Sequence, residues 1–154
     1  MRIVKRILFF VLIAGIFACS DDQCHLDTDT FLKVEMSVDD PDLPKAFIDS
    51  LSVYAPEWAD SIYYKNEGQN KSLWLMLSPN EDSSTFIFTS NLVEDKDTIT
   101  FFYQRDFVFL SPECGFVGNF AIDSVQNTFN NIDSLALEKN LITTNEQGLL
   151  KIFF

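Results

Sequence analysis

The sequence predicts an all-β fold, an antiparallel β-sandwich of about eight to ten short strands in an immunoglobulin-like arrangement. Phenylalanine occurs 16 times in 154 residues, and aromatic side chains favour strands over helices. Residues 32–38 alternate apolar and polar side chains, which is the period of a strand with one buried face. Turn signals recur at short intervals, and no long stretch has convincing amphipathic-helix spacing. We therefore expect a single sandwich domain over residues 31–154.

The individual strands are read from runs of apolar, aromatic and β-branched residues that end at turn residues. A continuous apolar run, residues 73–77, predicts a strand buried on both faces or at the centre of the sandwich, with Trp74 in the core. The asparagine-rich residues 127–131 predict a loop, and residues 112–115 predict a tight connection. The expected strands lie at residues 32–38, 51–54, 62–64, 72–77, 85–89, 98–103, 107–110, 116–125, 134–141 and 149–154.

The first 18 residues have the organisation of a secretory signal peptide. Three basic residues fall within the first six positions, and an unbroken apolar run of eleven residues, 7–17, follows them. This run is too short for a transmembrane helix, which needs about 20 apolar residues. Residues 1–18 are therefore expected to be removed after export.

Ile16-Phe17-Ala18-Cys19 resembles a lipobox, the sequence at which bacteria attach diacylglycerol to a cysteine thiol and then cut before that cysteine. We expect lipid on Cys19, a polar tether over residues 19–30, and a membrane as a partner through this anchor. Ser20-Asp21-Asp22 is similar to the signal that sends some Bacteroidota lipoproteins to the outer leaflet, although a plain tether has the same composition. The expected location is the outer membrane, on its periplasmic face or at the cell surface. An ordinary signal peptide followed by a chance cysteine is the alternative.

The charge distribution excludes one class of partner. Eight basic residues remain after the leader against 23 acidic ones, a formal charge of −15 for the mature chain. Such a surface repels phosphate backbones, so nucleic acid is not an expected partner.

Once Cys19 carries lipid, Cys24 and Cys114 remain as an even pair in a compartment that permits disulfides. A disulfide between them is the favoured prediction. A metal site or a reactive thiol is the alternative, but zinc wants more ligands than the single histidine, His25, can complete. We expect no metal and no cofactor.

The residues that could carry chemistry are few. With His25 as the only histidine, a Ser-His-Asp or Cys-His arrangement is implausible, and no catalytic residue is predicted. Carboxylates are abundant, but nothing in the sequence singles out two of them as a hydrolytic pair. Trp58 lies in a predicted loop and is the candidate ligand contact, because exposed indoles stack on sugar rings. A loop tryptophan that covers the core is the alternative.

Several segments occur in a characteristic order along the mature chain. They are Cys24, residues 73–79, Asp97-Thr98-Ile99 leading to Tyr103, residues 110–115 with their Glu-Cys-Gly element, residues 131–134 and the closing residues 151–154. In this order the chain resembles a family of small uncharacterised Bacteroidota lipoproteins, a domain of unknown function. The resemblance implies an exported β domain with the Cys24–Cys114 pair, and it implies no activity.

We therefore expect a non-catalytic lipoprotein of the cell envelope that binds or scaffolds another envelope component, a protein or a glycan. A carbohydrate-binding accessory protein is the second hypothesis and needs an exposed aromatic platform. A carboxylate-based hydrolase is the third and needs two acids that face each other across a cleft.

Overall fold

The structure is a computed structural model that describes residues 24–37, 50–57, 62–64, 72–91 and 94–154, with the backbone alone for residues 62–64. Within these residues the regular structure is entirely β, in ten strands. The strands are β1 (Leu32–Ser37), β2 (Leu51–Tyr54), β3 (Ile62–Tyr64), β4 (Ser72–Leu75), β5 (Ser83–Ser90), β6 (Asp97–Ser111), β7 (Gly115–Asn127), β8 (Ser134–Lys139), β9 (Leu141–Ile142) and β10 (Gly148–Phe153).

The described strands form a sandwich of two sheets. One sheet has the order β4-β1-β10-β8, and the other has the order β3-β2-β5-β6-β7-β9. Pairing is antiparallel throughout except between β1 and β10, which run parallel with Leu32 opposite Gly148. The predicted all-β sandwich is confirmed, and the immunoglobulin-like arrangement of its strands stays a prediction.

The core lies between the two sheets and follows from period-two alternation. Strands β1, β5 and β10 each bury every second residue, which places one face of each strand against the opposite sheet. The largest fully buried side chains include Phe86 and Phe101, whose rings meet edge-on at 5.9 Å. Gly148 is needed in this core because a Cβ there would lie 2.7 Å from the Ile142 side chain.

The prediction that residues 73–77 are buried on both faces is wrong. Strand β4 lies at the edge of the four-stranded sheet, and Leu73 and Leu75 are buried whereas Trp74 is 38% exposed. Met76 is exposed as well. Trp74 therefore belongs to the outer face, where its ring meets Phe31 edge-on at 6.3 Å. Buried and exposed residues alternate along this strand, but the sequence does not show the alternation because both faces carry large apolar side chains.

The two strands predicted at residues 98–103 and 107–110 are one strand, β6, of 15 residues. The polar residues Gln104-Arg105-Asp106 between them pair with Ala121, Phe120 and Asn119 of β7 instead of forming a loop. β6 and β7 therefore form a hairpin whose strands, of 15 and 13 residues, are longer than the other described strands. The predicted tight connection at residues 112–115 is confirmed as its turn, and Gly115 has the positive φ of 70° that the turn requires.

Candidate functional site

An asparagine at the end of β7 carries a buried amide without a partner. Asn127 lies opposite Ile99 in the β6–β7 ladder, and because directly opposed residues share a face, its side chain points inward. Both polar atoms of this side chain are buried, and neither has a hydrogen-bond partner among the described residues. An unsatisfied buried amide costs stability, so Asn127 is a candidate for contact with a ligand or an ordered water.

Asn127 lines an open cleft between the ends of the two sheets. The cleft has a volume of about 780 Å³, within the usual range of ligand sites. Leu135, Leu137 and Leu150 from the four-stranded sheet face Val125 from the six-stranded sheet, so the walls are apolar. The remaining lining residues are Gln126, Asn127, Phe129, Asp133 and Ser134.

A buried carboxylate fixes the loop that forms one lip of this cleft. The side chain of Asp97 accepts hydrogen bonds from the backbone N–H groups of Asn130 and Asn131, each at 2.8 Å, and of Ile132 at 3.2 Å. Asp97 is only 2% exposed, and these three donors compensate for its burial. The loop that carries Phe129 is thus held at the cleft by a residue at the start of β6.

The cleft supplies recognition groups and few reactive ones. Asp133 is the single carboxylate among the described residues that line the cleft. Asp97 lies nearby but does not line it, and its oxygen atoms accept hydrogen bonds from backbone N–H groups. A glycosidase-type mechanism needs two carboxylates across the reacting bond. In the described part of the chain, no group of three His, Cys, Asp or Glu side chains could hold a metal ion. The arrangement can bind a ligand that is partly apolar and that both donates and accepts a hydrogen bond.

A second surface lies at the other end of the six-stranded sheet, on the hairpin of β6 and β7. Four apolar side chains near its turn are exposed, and Phe116 is the most exposed of them at 68%. The Phe109 and Phe116 rings meet at 5.2 Å, which is consistent with their direct pairing in the ladder. The exposed group consists of Phe107, Val108, Phe109 and Phe116, and we refer to it as the hairpin patch.

The start of the described chain is attached to this same hairpin. Cys24 and Cys114 form a disulfide, with their Cα atoms 4.8 Å apart, as the sequence predicts. Six residues later the hydroxyl of Thr30 donates to the carbonyl of Gly118 at 3.1 Å. Residues 24–30, which the sequence assigns to the tether, are therefore held against the hairpin at two points.

The predicted site residues have different outcomes. Cys24 and Cys114 come together as predicted, whereas Cys19 and Trp58 lie outside the described residues, so the lipid anchor and the Trp58 contact stay predictions. Sequence reasoning missed Asn127, because only its register with Ile99 shows that it faces inward. It also missed the hairpin patch, for which consecutive apolar residues on both sides of a turn were the available signal.

The chain was compared with known protein families. Residues 50–154 match DUF6452, a family of unknown function. The chain belongs to this family. The DUF6452 match covers Asp97, Asn127 and the whole β6–β7 hairpin, and it begins after Cys24. The resemblance to an uncharacterised domain is thereby confirmed over these residues. No curated protein and no solved structure matches the chain.

Within the residues that the structure describes, no helix has the length and apolar character needed to cross a membrane.

Proposed function

We propose that the chain is a membrane-anchored lipoprotein of the cell envelope that binds another envelope component without catalysing a reaction on it. Residues 1–18 support export, and the lipobox ending at Cys19 supports lipid anchoring. The Cys24–Cys114 disulfide supports an oxidising compartment outside the cytoplasm. The acidic residues after Cys19 favour the outer membrane, on its periplasmic face or at the cell surface.

The observation that carries the binding role is the unpartnered amide of Asn127 in the cleft. A peptide group is the simplest complement to this side chain, because it presents one N–H donor and one C=O acceptor. The apolar walls at Leu135 and Leu137 would take up a side chain next to that peptide group. The proposed ligand is therefore a segment of an envelope protein, bound by an apolar side chain and its neighbouring amide.

Photo-crosslinking in cells tests this role. A photoreactive phenylalanine analogue at Phe129, on the lip of the cleft, should give a discrete protein adduct after irradiation, and Asn127→Leu should abolish it. The same analogue at Leu141, an exposed position outside the cleft, is the matched control. An adduct that survives Asn127→Leu, or that forms equally at Leu141, would refute binding in the cleft.

Intact mass tests the anchor independently. Protein taken from native membranes should have a mass that begins at Cys19 and includes acyl groups. Two free thiols should appear only after reduction. A mass that begins elsewhere and carries no lipid would refute the anchored lipoprotein.

The carbohydrate-binding alternative is favoured by one observation, the exposure of Trp74 beside Phe31 on the outer face of the four-stranded sheet. Lys33 lies 6.0 Å from the Trp74 ring centre and would border a bound sugar. Titration with envelope oligosaccharides, followed by intrinsic fluorescence, should then show a response that Trp74→Ala removes and Trp58→Ala retains. Absence of any response in the wild-type protein would exclude this alternative.

A further inference from the structure

The β6–β7 hairpin extends beyond the sandwich as a two-stranded ribbon. The ladder between β5 and β6 ends at Phe102, and the pairing of β7 with β9 begins only at Phe120. Between these limits the described strands provide no third strand for either edge. A two-stranded ribbon is marginally stable alone in water, so this one depends on the disulfide at its turn and on whatever covers its apolar side chains.

The two faces of the ribbon differ in character. Phe109 lies opposite Phe116 and Phe107 lies opposite Gly118, so three phenylalanines share one face. Asp106 lies opposite Asn119 on the other face, which also carries Val108 opposite Val117. The backbone of Gly118 packs closely against this face, since a Cβ there would lie 3.3 Å from the Phe120 ring and 3.5 Å from the Phe107 ring. The ribbon thus has an aromatic face and a face that carries an acidic side chain.

The chain itself determines what lies nearest to this ribbon. Five residue steps separate Cys19 from Cys24, and a fully extended chain of this length spans about 17 Å. Cys24 is bonded to Cys114 in the turn of the hairpin. If Cys19 carries lipid, the turn cannot leave the membrane surface by more than that distance. This step rests on the proposed function, because the lipid on Cys19 is part of it.

We propose that the aromatic face of the hairpin lies in the interfacial layer of the lipid bilayer that holds the anchor. The rings of Phe107, Phe109 and Phe116 would enter the boundary between headgroups and acyl chains, where apolar side chains are removed from water. Asp106 on the opposite face would remain in water. The hairpin then fixes how the sandwich stands on the membrane, which a flexible tether cannot do by itself.

The charge at the turn limits the depth of this contact. Hydrogen bonds from its own backbone amide and from the Ser111 hydroxyl hold the pKa of Glu113 below its ordinary value, so the carboxylate stays ionised. A charged group at the turn cannot cross into hydrocarbon, so the ribbon lies along the surface and does not insert end-on. Because the mature chain carries a charge of −15, the contact should favour zwitterionic over anionic lipid.

Fluorescence quenching by brominated lipid tests the contact. The mature lipoprotein, purified from membranes as the Phe116→Trp variant, is reconstituted into vesicles of phosphatidylcholine with or without bromine on the acyl chains. We expect the introduced indole to lose about half of its emission in brominated vesicles, because it lies at the depth of the acyl boundary. Wild-type protein supplies the background from Trp58 and Trp74, and Asp106→Trp is the matched control on the opposite face of the ribbon.

Each outcome decides the proposal. Strong quenching in Phe116→Trp with none above background in Asp106→Trp supports it. No added quenching in Phe116→Trp overturns it, and so does equal quenching in both variants. Protection from a soluble quencher that depends on protein concentration, without quenching by lipid, would assign the hairpin patch to a second copy and overturn it as well. Mass under non-reducing conditions shows that each variant has kept the Cys24–Cys114 disulfide.

The same mass separates the two proposals. An acylated protein whose introduced indole is not quenched refutes the hairpin contact and leaves the anchor intact. A protein without acyl groups refutes the anchor, and the vesicles added to it from outside then measure the hairpin contact alone.

Discussion

Asp97 holds Asn131 across 34 positions of sequence. Its Oδ2 atom accepts a hydrogen bond from the backbone N–H of Asn131 at 2.8 Å and another from the Asn131 side-chain amide at 3.2 Å. The side-chain amide also donates to the backbone carbonyl of Asp95 at 3.1 Å. The loop after β7 is therefore tied to the start of β6, and the lip of the cleft has a defined position.

Asp97→Asn should lower the free energy of unfolding by about 2–4 kcal/mol, because an amide group presents a donor to backbone donors that need an acceptor. Urea denaturation followed by near-ultraviolet circular dichroism measures this loss. Asp95→Asn is the matched control, since this exposed neighbour contributes its backbone carbonyl to the loop, and it should change stability by less than about 0.5 kcal/mol. Equal effects of the two changes would mean that the carboxylate does not organise the loop.

Asn127→Leu should raise the free energy of unfolding by about 1–2 kcal/mol, because it removes a buried amide that has no partner among the described residues. Thermal and urea denaturation of the purified protein measure the change. Gln126→Leu, at the exposed neighbouring position, is the control for stability alone, because Gln126 also lines the cleft. A gain in stability together with loss of the crosslinked adduct would show that Asn127 serves binding at the expense of stability. A destabilised Asn127→Leu protein would mean that the amide is satisfied in solution.

Tyr103 should make the protein less stable at alkaline pH. Burial raises the pKa of this phenol above its ordinary value near 10, although the hydrogen bond with the Ser84 hydroxyl opposes the shift. The unfolded chain loses the phenolic proton near pH 10 while the folded protein keeps it. Unfolding therefore releases a proton in this range, and stability falls as the pH rises through it.

Denaturation of wild type and Tyr103→Phe between pH 8 and 11 isolates this effect, because the other three tyrosines are common to both proteins. Tyr103→Phe should be less stable at pH 8 by about 1–2 kcal/mol, since it loses the 2.9 Å hydrogen bond to the Ser78 carbonyl and leaves Ser84 without this partner. The difference between the two proteins should shrink above pH 10. A difference that stays constant with pH would contradict the assignment of the raised pKa to Tyr103.

Removal of the disulfide should act mainly on the hairpin. Cys24→Ser with Cys114→Ser opens a link across 90 positions and should cost about 2–5 kcal/mol of stability. Hydrogen exchange should accelerate most in residues 24–30 and around the turn, because the ribbon there has no third strand among those described. Exchange in β5, whose strand lies inside the six-stranded sheet, is the internal control. Uniform acceleration across the protein would show that the disulfide stabilises the sandwich as a whole and not the hairpin.

Local sequence signals were sufficient for most of the strands. The alternation from Leu32 onward predicted β1 within a residue, and the turn residues around Leu51–Tyr54 isolated β2 at its observed bounds. The asparagine-rich stretch after Val125 was correctly expected to be a loop, and the structure places it between Asn127 and Ser134. These features depend on residues close in sequence, which is why the sequence was informative about them.

The errors concern features set by distant partners. Trp74 was expected in the core, but it alternates with the buried Leu73 and Leu75 and lies on the outer face, and the apolar run does not record which face is covered. Gln104-Arg105-Asp106 resembles a loop until the facing residues of β7 supply a ladder. The inward direction of Asn127 likewise depends on its register with Ile99. The position of the candidate site depends on such pairing between distant strands, so the sequence did not predict it.

The parallel pair β1–β10 has a consequence for how the molecule is made. Strand β10 lies between β1 and β8, so the four-stranded sheet cannot close until the residues through Phe153 are available to pair. Until then β4 is the only described strand of this sheet that can pair with β1, and the other edge of β1 is unpaired. Pairing over such a sequence distance is slow. During that interval the unpaired backbone groups of β1 can pair with another unfolded chain, so correct folding depends on the chains being kept apart.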